Sequence, residues 1–71
     1  MNQTQINMGK IENNKEIDNR GILNNHVIIN NNYILNNVGT LFNNNKIVNN
    51  EKGIINNDGK FENKGFILTK I

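Results

Sequence analysis

Residues 53–67 read GIINNDGKFENKGFI. Within that stretch Ile55, Phe61 and Ile67 recur at a step of six, each with a glycine two positions before it (Gly53, Gly59, Gly65). Asn57 and Asn63 follow the first two hydrophobes by two positions, and Lys60, Glu62 and Lys64 alternate with the frame. Apolar and polar positions alternating at a period of two are the pattern of a strand with one buried face. Helix is disfavoured: Asn and Gly are poor helix formers, Ile is β-branched, and nothing recurs at the three-to-four spacing of a helical stripe.

The same frame runs back toward the N-terminus. The hydrophobes are Ile11, Ile17, Leu23, Ile29, Leu35, Leu41 and Ile47, then, after two extra residues, Ile55, Phe61 and Ile67; no position in that row is polar. Two residues after them stand Asn13, Asn19, Asn25, Asn31, Asn37, Asn43, Asn49, Asn57 and Asn63, with Thr69 replacing asparagine in the last unit. Gly9, Gly21, Gly39, Gly53, Gly59 and Gly65 all precede a hydrophobe of the row by two. The chain is therefore one repeat domain, 1–71, of about ten six-residue strand-turn units. Residues 1–10 are less regular, although Gln5, Asn7 and Gly9 hold the register, and they form the only candidate cap. The excess at 48–54 breaks the register and is expected to form a wider corner or bulge.

Asn tolerates left-handed backbone and Gly accepts positive φ, so each Asn-x-Gly, from Asn7-Met8-Gly9 to Asn63-Lys64-Gly65, is expected to be a corner. Each unit is then one side plus one bend. Such units cannot bury their apolar face alone; stacked coils give every hydrophobe a neighbour about 4.8 Å above and below. Stacked inward asparagines can hydrogen-bond along the axis, relieving buried amides of a cost of roughly 1–3 kcal/mol each. The expected fold is an all-β, single-chain β-solenoid of about three coils, with no Pro, helix or other cap legible at either end. The spacing leaves the sides per coil and the hand open.

At this point the chain resembles the short-repeat β-solenoids, especially the Asn-Gly-rich hexad arrays of bacterial surface adhesins, and more distantly the left-handed hexapeptide helices. The resemblance spans residues 5–71 by periodicity and brings no functional residues with it. The hexapeptide helices prefer a small residue two positions before the aliphatic one, a place held here by Val27, Tyr33 or Asn45.

Composition narrows the function. A domain of 71 residues buries a modest core and, with no Cys and one His, has neither disulfides nor an obvious metal site to support it. Oligomerisation is the remaining device, and the expected partner is a second copy. The net charge of +2 comes from interleaved lysines and carboxylates, which argues against the one-sided basic field of a nucleic-acid binder. No apolar run approaches the roughly 20 residues of a membrane span, and Met1 to Gln5 lack the marks of a secretory signal. His26 stands alone, there is no Ser, Thr4, Thr40 and Thr69 are scattered, and Glu12, Glu16, Asp18, Glu51, Asp58 and Glu62 interleave with Lys or Arg. No catalysis, cofactor, metal or small-molecule substrate is expected. Asn2-Gln3-Thr4 fits a glycosylation sequon, a triplet common by chance in an Asn-rich chain.

The expected function is structural: head-to-tail stacking into a filament, with an extracellular or cell- or spore-surface fibre favoured. Ile22, Ile28, Ile34, Phe42, Val48, Ile54, Phe66 and Leu68 fall on the outward side and are expected to mediate lateral contacts between filaments. The rivals are a ligand-displaying module of a surface adhesin and a functional amyloid with one or two layers per subunit.

Overall fold

A computed structural model describes residues 3–71; Met1 and Asn2, with the first residue of the sequon and the start of the candidate cap, lie outside the described residues. These form eleven strands of four residues each: β1 Thr4–Asn7, β2 Lys10–Asn13, β3 Glu16–Asn19, β4 Ile22–Asn25, β5 Ile28–Asn31, β6 Ile34–Asn37, β7 Thr40–Asn43, β8 Lys46–Asn49, β9 Ile54–Asn57, β10 Lys60–Asn63 and β11 Phe66–Thr69. In every strand the second residue and the fourth face inward, so the row hydrophobe and the row asparagine share one face and the first and third residues share the other. Two-residue corners join the strands, except for the four residues 50–53.

Each strand pairs in parallel with the third strand after it, which sorts the chain into three sheets: β1-β4-β7-β10, β2-β5-β8-β11 and β3-β6-β9. The fold is a three-sided β-solenoid. Three hexads make one coil, so the register advances by 18 residues, as in Thr4↔Ile22 and Leu23↔Leu41, and by 20 across the insertion, as in Ile34↔Ile54. Eleven strands at three to a coil make three and two-thirds coils, more than the expected three. The difference lies in the N-terminal segment. β1 pairs residue for residue with β4 and is as regular as any later strand, although its row position holds polar Gln5. Main-chain pairing asks nothing of side-chain polarity, so one broken hydrophobe does not end the array.

The six-step row of hydrophobes resolves into three columns: Leu23-Leu41-Phe61, Ile11-Ile29-Ile47-Ile67 and Ile17-Leu35-Ile55. Leu23, Ile29, Leu35, Leu41 and Ile47 close the core, and Ile11, Ile17, Ile55 and Phe61 pack against it from the two ends. The insertion costs the core nothing. Glu51 and Lys52 turn outward between Asn50 and Gly53, whose N–H donates to Asn50 O at 2.8 Å, and Ile54 resumes its sheet.

The corners correct one expectation. No described residue, glycine or other, has positive φ, so the glycines are not there for left-handed backbone. At Gly39, Gly53, Gly59 and Gly65 the reason is clearance. A Cβ on Gly39 would run into Gly21 O of the coil beneath, and one on Gly59 into Gly39 O. Coil-to-coil hydrogen bonds continue around these bends, with Val38 and Gly39 N–H both donating to Asn19 O at 2.8 and 3.0 Å. A side chain would hold the coils apart.

Candidate assembly surfaces

The inward asparagines form three hydrogen-bonded columns with one direction. Asn7 Nδ2 donates to Asn25 Oδ1, Asn25 to Asn43 and Asn43 to Asn63, at 2.8, 2.8 and 2.7 Å. Asn13 donates to Asn31 and Asn31 to Asn49, at 2.8 and 2.9 Å, and Asn19 donates to Asn37 and Asn37 to Asn57, both at 2.8 Å. Each nitrogen also reaches over the corner to a main-chain carbonyl one coil up, as in Asn13 Nδ2 to Ile34 O at 2.7 Å and Asn25 Nδ2 to Lys46 O at 3.0 Å. A carbonyl oxygen can only accept, so the second bond fixes which way the amide points. Every inward amide that bridges two coils therefore donates toward the C-terminal end.

One direction gives the solenoid two unlike ends. At the N-terminal end Asn7 and Asn13 Oδ1 receive only long local bonds, 3.3 Å each from Gly9 and Lys15 N–H, and Asn19 Oδ1 is buried with no partner among the described residues. A concavity of about 400 Å³ opens there, lined by Gln5, Glu16 and Asp18 and by the core side chains Ile11, Ile17 and Leu23. The C-terminal end presents donors: the exposed amides of Asn57 and Asn63 and the hydroxyl of Thr69, which has no partner among the described residues. Beside them the core residue Ile67 is 41% exposed, whereas Ile47, one coil below it, is closed off.

Gly9 marks the N-terminal end in another way. Gly9, Gly59 and Gly65 share one corner geometry, in which the glycine N–H donates to the Oδ1 two residues before it at 3.2–3.3 Å. A Cβ on Gly59 or Gly65 would strike a carbonyl of the coil beneath, Gly39 O or Asn45 O, while one on Gly9 would meet nothing within 4 Å. The clearance that glycine provides is present at Gly9 without a coil to use it.

The flanks are more mixed than the expected girdle. Ile22, Ile28 and Ile34 stand one on each side of a single coil, but their column neighbours differ: Thr4 and Thr40 for Ile22, Lys10 and Lys46 for Ile28, Glu16 and Ile54 for Ile34. Phe42 is half-buried, with Lys60 Nζ 5.8 Å from its ring centre. Val48 departs from expectation, being buried between Asn30 below and Leu68 above, and so offers no lateral contact. Ile54, Phe66 and Leu68 are exposed and cluster toward the C-terminal end.

Two outer asparagine rows escaped sequence reading. Asn50 donates to Asn32 and Asn32 to Asn14 along one corner, and Asn56 donates to Asn36 and Asn36 to Glu16 on the third sheet. The signal of the corner row is the 18-residue spacing of Asn14, Asn32 and Asn50, which acquires meaning once the coil is known to hold three hexads. His26 is exposed, and its main-chain carbonyl accepts from Asn45. Asp18 pairs with Arg20 at 3.2 Å and Glu12 with Lys10 at 3.5 Å, both on the surface. Comparison with protein families, curated proteins and solved structures found no match.

Proposed function

We propose that this chain is a structural protein without catalytic activity, one brick of a filament that grows by head-to-tail stacking of identical copies. The observation that carries the reading is the polarity of the asparagine columns. Three corners end in acceptors at one end and in donors at the other, and the same three-sided outline repeats at both. A copy set on another continues all three columns, all three sheets and the core. Two copies meeting end to end in opposite orientations would set acceptor against acceptor or donor against donor, leaving buried amides at a cost of roughly 1–3 kcal/mol each. The contact is therefore heterologous, the kind that propagates. Gly9 supports it, since a coil placed beneath would use the clearance that the single molecule leaves idle.

The test is assembly of the purified chain followed by light scattering and negative stain over rising concentration. Filaments of uniform width are expected above a threshold. A monomer at every concentration would overturn the reading and favour a repeat segment whose end faces are covered by further coils of a longer chain, as in an adhesin module.

A further inference from the structure

The strands climb as a ramp, and the ramp determines how two copies fit. At the C-terminal end the uppermost strands are β9 on the third sheet, β10 on the first and β11 on the second, so the next free place lies above β9. Resting on the stacking reading above, we infer that successive copies are turned by one side of the prism. β1 of the upper copy then lies on β9, β2 on β10 and β3 on β11, and every sheet runs through the joint. An unturned copy would put β1 on β10 and β2 on β11, leaving a strand-sized gap between β9 and the third sheet above.

A second observation selects the same arrangement. Thr69 is the one unit of the row without asparagine, and Asn19 Oδ1 is the one buried side-chain acceptor without a partner among the described residues. With β3 on β11 in the register used throughout the solenoid, Thr69 lies directly beneath Asn19 of the upper copy. Asn19 Nδ2 is committed upward, to Asn37 Oδ1 and Thr40 O at 2.8 and 2.9 Å, so its Oδ1 faces down to the Thr69 hydroxyl. Asn57 and Asn63 find Asn7 and Asn13 above them, completing the other two columns. In the unturned arrangement Thr69 lies beneath Asn13, and Asn19 stays unpaired.

The turned joint has consequences for the flanks. Lys10 of the upper copy comes beside Lys60, and Glu12 beside Glu62. The four charges form a neutral square in water, in which each lysine has a glutamate on the diagonal, so they contribute little either way. At the remaining corner Ile71 of the lower copy comes to the place that Gln3 of the upper one holds in a single molecule, so the joint requires Gln3 to swing aside. Ile71 O then receives the Ile22 N–H that Gln3 O accepts, at 3.1 Å, within a single molecule.

Cysteine pairs in the full chain test the joint, because the sequence has no Cys of its own. Neighbouring strands put paired Cα atoms about 4.8 Å apart, inside the roughly 4.4–6.8 Å that a disulfide spans. The turned joint pairs Asp18 with Leu68 and Ile6 with Asn56 across copies; the unturned one pairs Glu12 with Leu68 instead. Filaments of D18C/L68C and of I6C/N56C, confirmed by negative stain and then oxidised, are expected to run as covalent multimers on a non-reducing denaturing gel, with E12C/L68C remaining monomeric. Multimers from E12C/L68C alone would overturn the turned joint and leave stacking intact. Filaments that link through none of the three pairs would also overturn it, and absence of filaments from the unmodified chain would remove the stacking reading itself. The pair I6C/N56C keeps the test decisive if D18C/L68C fails to fold.

Discussion

The middle coil and the two end coils are written in the same hexads, yet they are not equally finished. Asn25 accepts from Asn7, donates to Asn43 and donates again to Lys46 O; Asn63, in the same column, accepts from Asn43 and has only Gly65 O, two residues on, to donate to. Leu41 is closed off, while Ile67 is 41% exposed. The carbonyl of Gly21 stands where a Cβ of Gly39 would go, and no described residue lies within 4 Å of the place a Cβ of Gly9 would take. A hexad thus has little stability of its own; what it has comes from the coil above and the coil below. An end coil is half a contact, and in the proposed filament a second copy would supply the other half.

That contrast can be tested pair by pair, by urea unfolding at concentrations below assembly. The largest difference is expected for Asn25→Ala against Asn63→Ala. The first removes one of three acceptors of the Asn7 amide and takes the side-chain donor from Asn43 Oδ1 and Lys46 O, a loss of about 2–6 kcal/mol if each of the latter two costs about 1–3 kcal/mol. The second removes an exposed side chain and should cost under about 1 kcal/mol. Equal losses would mean that the columns do not carry the fold. Next comes Leu41→Ala, expected to cost about 3 kcal/mol as a core truncation, against about 1 kcal/mol for Ile67→Ala, whose side chain is already wet.

The glycine pair gives a smaller difference in stability and a sharper one in assembly. Gly39→Ala forces a methyl against a backbone carbonyl that cannot step aside, and about 2 kcal/mol is expected, as for overpacked sites. Gly9→Ala should leave the folded chain unharmed or stabilise it by about 0.5 kcal/mol through the unfolded state. It should nevertheless raise the concentration needed for filaments about tenfold, because the methyl meets the corner of the copy below. Gly9→Ala filaments that form as readily as the unmodified ones would break the link between the open corner and stacking. Smallest of all is the effect of salt on unfolding. The Lys10–Glu12 and Arg20–Asp18 pairs lie on the surface, so raising ionic strength should shift stability by less than about 0.5 kcal/mol.

Much of this architecture is legible in the chain because the repeat is strict. The row from Ile11 to Ile67 and the asparagines two residues on define the strand, the inward face and the unit length before any pairing is known. The excess at 48–54 declares itself as an outward corner because the frame resumes unbroken at Ile55. Other features depend on what lies one coil away. A step of six does not say how many sides close a coil, and so hides the 18-residue columns and the outer row Asn14-Asn32-Asn50. The corner glycines look like residues chosen for positive φ, when the carbonyl beneath Gly39 or Gly59 is the reason. β1 is obscured by Gln5, and Val48 counts as an outward residue although Asn30 and Leu68 close over it. The direction of the columns is the least legible feature: an asparagine's sequence position says nothing of which way its amide turns, and here a carbonyl across the corner decides it.

Head-to-tail stacking of folded bricks is tested most directly by the axial rise per subunit in cryo-electron microscopy of the assembled chain. Eleven strands at three to a coil give an expected rise of roughly 18 Å, at about 4.8 Å per coil, with parallel strands running unbroken through each joint. A rise of about 4.8 Å or twice that would mean that each subunit has flattened into one or two amyloid layers, and would contradict the stacking of intact solenoids.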